Sequence, residues 1–398
     1  MGQGVVITGC GVLASNGIGR EAFAAALAAG KSGIGDLVSF DASALGREKA
    51  AEIHGFDVAA YLRSPKNYLD RNSALAFAAA EMALRESALA VPDLAREYGL
   101  SVGSMGGNFA SLALFHAKLA EKGPRFAPPF LFPHTYYNAT AGLLSIEYGL
   151  SGPHGQFCSG PAAGMEALAY AVDCIRWGRT DAMIAGGVEA FGESLLSYCA
   201  SKGWLSPGIS LGACGTAAPG CAFPGGEGCL PFGLVANGTI LGEGGAFLCL
   251  ESADGVRVRK GKARGRIRGI GMGACAEEAI SGALRDAEVL KTEAVFASAS
   301  GRPDDDREEA AAITKILGNR PIVALKGLVG ETLGASGPMN LIAALTALES
   351  DMLPGSGAEY EAFPVNLVRA PLSKTVNSIL VNAGSGKPGA WVSVVVTR

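Results

Sequence analysis

Apolar positions along this chain fall into two alternating patterns. Short continuous runs bounded by glycine, at residues 5–8 before Gly9-Cys10-Gly11, at 100–103 and at 247–251 after Gly244-Gly245, read as buried strands. Between them stand runs with helical spacing. Met165, Leu168, Ala169, Val172 and Ile175 recur at i, i+3, i+4, i+7 and i+10, with Arg176 as a last-turn cation and Gly178 as a left-handed stop. That spacing predicts a helix over about residues 162–177. Similar spacing predicts helices over 21–29, 68–89 and 109–122, the last opened by the turn Met105-Gly106-Gly107.

From residue 267 the alternation runs a second time. Strands at 267–270, 295–297, 322–325 and 378–381 enclose helices at 277–290, 308–317 and 339–350. Gly334 to Pro338 opens its helix as Gly160-Pro161 opens the earlier one, and the strand ending in NAGSG mirrors the one ending in MIAGG. The chain therefore reads as α/β with one topology used twice, divided into halves 1–251 and 252–398.

Composition narrows the functions open to such a chain. With 398 residues, 49% hydrophobic and 18% charged, it can bury a large core. A net charge of −4 gives no global reason to bind nucleic acid. No apolar run reaches the roughly 18 residues of a membrane span, and the opening MGQGVVITGC has neither the basic nor the apolar stretch of a signal peptide, so a cytoplasmic protein is expected. There are nine cysteines without a CxxC pair, and Cys214, Cys221 and Cys229 have no histidine nearby, so neither metal, cofactor nor disulfide framework is expected. All four histidines, His54, His116, His134 and His154, precede residue 155.

The stretch from Gly152 to Ala190, GPHGQFCSGPAAG followed by the helix and AGGVEA, resembles the ketoacyl synthases of the thiolase superfamily. So do GKSGIGDLVSFDAS near the start, residues 128–153, and LGEGGA at 241–246. The resemblance implies a duplicated five-layer αβαβα fold, with two mostly parallel sheets and helices between and outside them. It also implies a cysteine at a helix N-terminus, two histidines and a lysine, which together condense an acyl thioester with a decarboxylated malonyl unit. Position by position, Pro161 stands for the cysteine, Ser298 lies in FASASG where the first histidine belongs, and Glu331 replaces the second in KGLVGETLGASG, where only Lys326 survives. Proline has neither thiol nor N–H, and a carboxylate cannot do the work of a neutral imidazole unless protonated. The nearest thiol, Cys158, reads as an inert strand residue, with a nucleophile as the alternative.

Such a set resembles the chain-length factor, a non-catalytic subunit that pairs with an active ketosynthase as a heterodimer and shapes the tunnel for a polyketide or polyene on acyl carrier protein. Those factors usually carry glutamine where this chain has Pro161. By the same resemblance the tunnel positions are Asn108, Ser111 and Phe115, and the dimer interface takes Phe130, Phe132, Tyr136 and Tyr137, with ordinary packing the alternative for each. Two other functions stay open: an acyltransferase or condensing enzyme using Cys158, and a homodimeric acyl-binding scaffold. Finally, Arg257, Arg259, Lys260, Lys262, Arg264, Arg266 and Arg268 read as a basic hairpin facing a carrier protein or as a solvated edge strand, and Asp304-Asp305-Asp306 suits a helix N-terminus.

Overall fold

The apolar runs become strands whose side chains divide between two cores. The computed structural model describes residues 3–66, 68–89, 98–206, 228–358, 362–385 and 390–398. In the first half the principal strands are β1 (Val5–Ala14), β2 (Gly99–Gly103), β3 (His154–Phe157), β4 (Ala182–Glu189) and β5 (Gly244–Ser252). In the second they are β6 (Gly265–Gly273), β7 (Ala294–Phe296), β8 (Ile322–Val323), β9 (Ser378–Gly384) and β10 (Trp391–Thr397). The hydrogen-bonded order is β8-β7-β9-β10-β6-β1-β5-β4-β2-β3. Read outward from the centre, each half runs first, fifth, fourth, second, third strand, so the duplication suspected from the spacing is a duplication of topology.

Two details differ from expectation. Each half is mixed rather than mostly parallel, since β2 pairs parallel with β3 and β4 while β5 pairs antiparallel with β4 and β1. The halves are also not separate sheets, because β1 and β6 pair antiparallel through Val5, Val6 and Ile7.

Period-two alternation shows why these strands are apolar throughout. On β5, Ala246, Leu248 and Leu250 face a central core, and Phe247 and Cys249 face an outer one. On β10, Val392, Val394 and Val396 face the same central core, and Trp391 and Val395 face a second outer one. The central layer is α5 (Ala163–Arg176) and α11 (Ser336–Ser350). Outside the first half lie α2 (Arg71–Ser87) and α4 (Ala139–Tyr148), and outside the second α8 (Ala276–Asp286) and α9 (Pro303–Leu317). The remaining helices are α1 (Arg20–Ala28), α3 (Phe109–Lys122), α6 (Glu193–Ser201), α7 (Ala253–Val258) and α10 (Lys326–Val329). Five layers, αβαβα, result.

Helix ends follow their caps. The Asp70 carboxylate accepts from Ser73 N at 2.8 Å and starts α2, and Gly178 with φ +67 follows α5 in the left-handed conformation. Helix α9 begins five residues earlier than its apolar spacing implies, with Pro303 at its first turn, so the three aspartates lie inside the helix. The basic segment is neither a hairpin nor an edge strand: it runs from α7 through a turn into β6, which has β1 and β10 on its two sides. Within it, Arg259 pairs with Glu251, and Arg264 with Glu86 and Glu349. Most of the glycine-rich stretch 206–229, including Cys214 and Cys221, lies outside the described residues. Among the described residues no helix is long and apolar enough to cross a membrane, and no cluster of His, Cys, Asp or Glu is placed to hold a metal ion.

Candidate functional site

The site forms where the two central helices begin. Backbone approaches there are so close that only glycine fits: a Cβ at Gly164 would stand 2.1 Å from the Gly334 carbonyl oxygen, and one at Gly187 would stand 1.9 Å from the same atom. Gly160, at φ +111, turns the chain into Pro161, and the Ala162 carbonyl accepts the first helical N–H groups, from Met165 and Glu166. Pro161 is buried at this turn. It brings neither a nucleophilic atom nor an N–H to the helix start, the position where oriented donors stabilise an oxyanion.

Ser298 and Glu331, the positions that the resemblance matches to two histidines, are joined to each other through Lys326. Lys326 Nζ donates to Glu331 Oε2 at 2.6 Å and to Ser298 Oγ at 3.4 Å. The second Glu331 oxygen accepts from Leu333 N at 2.9 Å and from Ser336 Oγ at 2.8 Å. Ser298 Oγ in turn donates to the Gly384 carbonyl at 2.8 Å and accepts from Gly384 N at 3.1 Å. Lys326 and Glu331 are 2% and 3% exposed, so the charges of this pair are held by each other and by fixed dipoles rather than by water. Two of the three Lys326 N–H donors and the hydroxyl hydrogens of Ser298 and Ser336 are spent inside the network.

Three further buried carboxylates surround the site, and residue spacing did not bring them out. Glu189, at the end of β4, accepts from Met105 N and Gly334 N with one oxygen and from Gly106 N and Ser104 Oγ with the other, which ties the two halves together. Burial pushes its pKa up to about 7 against the lowering effect of those donors. Asp306 accepts from Phe232 N, Ser300 N and Gly301 N, and burial raises it to about 6. Glu309 accepts from Ser298 N and Asn382 Nδ2, each at 2.9 Å, through one oxygen only; the other has no partner among the described residues, and burial raises this group to about 7. Its helical position was legible but its burial was not.

Beside the Pro161 turn lies a cleft of about 530 Å³ bounded by Met105, Phe109, Tyr137, Cys158, Trp204 and Ser385. Cys158 is not the buried strand residue expected: it follows the edge strand β3 and is exposed to this cleft. Partial burial raises its thiol pKa, the opposite of what activates a nucleophile.

The candidate tunnel residues meet different surroundings. Asn108 is buried, its amide donating to the His134 carbonyl at 3.0 Å, and it borders a chamber of about 200 Å³ that also meets Phe109. Ser111 is buried and donates to Asp70 Oδ2 at 3.1 Å. Phe115 turns outward, its ring centroid 5.7 Å from that of Phe132. Around Phe132 lies an exposed aromatic surface: Phe130 is 92% exposed, Phe132 47%, Tyr136 52% and Tyr137 44%, so none of the four is ordinary core.

Comparison with known proteins gives the family and the fold. The beta-ketoacyl synthase N-terminal domain model matches residues 3–255 and the C-terminal domain model residues 258–357. The chain is 32% identical to the tetracenomycin polyketide synthase ketoacyl synthase beta subunit of Streptomyces glaucescens, over 99% of this chain and 98% of that one. It is 29% identical to a 3-oxoacyl-[acyl-carrier-protein] synthase 2 of Vibrio cholerae, over 88% of this chain and 87% of that one. Among solved structures, the ishigamide ketosynthase/chain length factor superposes with a TM-score of 0.86 at 24% identity over the full length of both chains. A beta-ketoacyl synthase from Burkholderia phymatum superposes at 0.87 and 23% identity, over 100% of this chain and 99% of that one. Duplicated topology, glycine contacts at the helix start and matches along nearly the whole length lead to one conclusion: this chain belongs to the beta-ketoacyl synthase family, with a thiolase-like fold.

Proposed function

We propose that this chain is the non-catalytic, chain-length-setting subunit of a polyketide ketosynthase pair, working beside a cysteine-bearing ketosynthase and its acyl carrier protein. The observation that carries the reading is the closed Ser298–Lys326–Glu331–Ser336 network, which fills the seats of two imidazoles while Pro161 fills that of the thiol. The scaffold outlived the chemistry, and a scaffold without chemistry is useful when a partner supplies it. Two surface features support a partner. Strand β3 has β2 on one side and no strand on the other among the described residues, and the exposed aromatic surface offers the rigid anchors that interfaces favour. The kinship with a ketoacyl synthase beta subunit agrees.

Co-expression with a cysteine-bearing ketosynthase tests the proposal. The pair should co-elute and extend malonyl-carrier protein, and the chain alone should release no carbon dioxide and form no product. Turnover by the solitary chain would overturn it. The rival reading, a condensing or acyl-transfer enzyme using Cys158, has one observation in its favour, the exposure of that thiol to the cleft. It requires turnover or acyl labelling that disappears in Cys158→Ala, and the raised thiol pKa argues against it. A homodimer that ignores every ketosynthase would instead favour the scaffold reading.

A further inference from the structure

The chamber behind Phe109 has a chemistry that the chain-length reading does not specify. At about 200 Å³ it is smaller than the roughly 300–1,000 Å³ of sites that enclose a whole ligand, which suits it to a chain end. Phe109 also borders the cleft beside Pro161, so the two spaces share that residue in their walls. Much of the chamber's wall is apolar, from Phe109, Ala113 and Phe191, but its other wall is built from the charged and amide groups that begin α2 and α3.

Those groups have hydrogen-bonding capacity to spare. Arg71 uses Nε and one terminal nitrogen on Glu243, at 3.1 and 2.7 Å, and the same terminal nitrogen on the Ile53 carbonyl at 2.8 Å. Its other terminal nitrogen donates to no described residue. The Asn108 amide spends one of its two hydrogens on the His134 carbonyl. Asp70 accepts once on each oxygen, from Ser73 N and Ser111 Oγ, and a carboxylate can accept about four times. Behind them Asn72 is held by Asn108, Thr140 and Ala190 N, so the wall is braced.

A hydrocarbon terminus entering this chamber would strip water from Arg71 and Asn108 and return nothing. A chain with oxygen at every second carbon presents acceptors to both, and its enol form presents a donor to Asp70. Sites built to hydrogen-bond a substrate reject the analogue that lacks the polar group far more strongly than apolar pockets reject an extra one. Building on the chain-length reading, we propose that this chamber selects an oxygenated, poly-β-keto chain end over a reduced one, with Arg71 and Asn108 as its specificity-determining residues.

The lining belongs to one chain, so the purified protein suffices for the test. Calorimetric titration with octanoyl-pantetheine amide and with an equal-length mimic bearing stable ketone isosteres at alternate carbons should show the oxygenated probe binding at least tenfold tighter. Arg71→Met should remove that preference without weakening the octanoyl probe. Because Arg71 also braces Glu243, Asn108→Leu serves as an independent second variant with the same expected loss, and Ala113→Leu should block both probes. Equal or tighter binding of the octanoyl probe, binding of neither, or a preference that survives both variants would overturn the inference. Failure of the chain-length reading would register separately, as absence of a complex with any ketosynthase.

Discussion

The two halves share one strand order and have opposite outer edges. In the first, β3 ends the sheet with no further strand beside it among the described residues, and the same half carries the exposed aromatic rings. In the second, the edge strand β8 is covered by the following chain: Ile322 N donates to the Asn366 carbonyl at 2.9 Å, and Val368 N donates to the Ile322 carbonyl at 2.8 Å. The same division appears at the site. The first half contributes the Pro161 turn, the exposed Cys158 and one buried carboxylate, Glu189, whereas the second contributes Lys326, Glu331, Ser298, Asp306 and Glu309, all buried and bonded to one another or to backbone. One copy of the topology leaves an edge and aromatic rings exposed, and the other covers its edge and buries its charges.

The strongest way to break that contrast is inside the sealed half. Lys326→Met leaves the Glu331 carboxylate buried and unpaired and should cost about 3–5 kcal/mol in urea unfolding. Lys326→Met with Glu331→Leu should recover most of it, because removing both charges removes the reason for either. A double variant no better than the single one would show that Lys326 matters for something other than this pair.

On the open half, Phe132→Ala should lower affinity for the ketosynthase by about thirtyfold, a hot-spot loss of about 2 kcal/mol, while moving the unfolding midpoint of the isolated chain little. Comparable loss of stability without loss of pairing would place Phe132 in the fold instead.

A third measurement reads the buried acids. Glu189, Glu309 and Asp306 have folded pKa values raised to about 7, 7 and 6. The native state therefore holds protons that the unfolded chain has released between the ordinary carboxylate range and those values. Stability should be greatest at mildly acid pH, fall as pH rises toward 7, and level off above it. Glu309→Gln should flatten that fall, since the amide keeps a donor on the oxygen that lacks a partner among the described residues. A pH-independent midpoint between pH 5 and 8 would contradict the burial assigned to these groups.

The smallest effect is expected at Cys158, which should react with iodoacetamide well before the buried Cys174 and Cys249. Cys158→Ala should leave product formation by the pair unchanged within about twofold and stability within ~0.5 kcal/mol.

Much of this molecule was legible from spacing. The helix read over about 162–177 is Ala163–Arg176, and that read over 109–122 is Phe109–Lys122, because a 3.6-residue period with a glycine stop is local information. The basic stretch at 257–268 misled, because a charged strand looks the same from within whether or not neighbours flank it; β6 is flanked on both sides. Cys158 misled for the converse reason, since an apolar-looking run cannot reveal that it ends at a sheet edge.

By itself the sequence determined the α/β alternation, its repetition, and the confinement of all four histidines to the first 154 residues, since residue type and order are all those statements need. Only tertiary structure decided that Lys326 closes on Glu331, that Glu309 and Asp306 are buried, and that Asn108 and Arg71 border one chamber. Those outcomes depend on which distant segments exclude water from a group, and exclusion of water is a property of the packed assembly rather than of any stretch of chain.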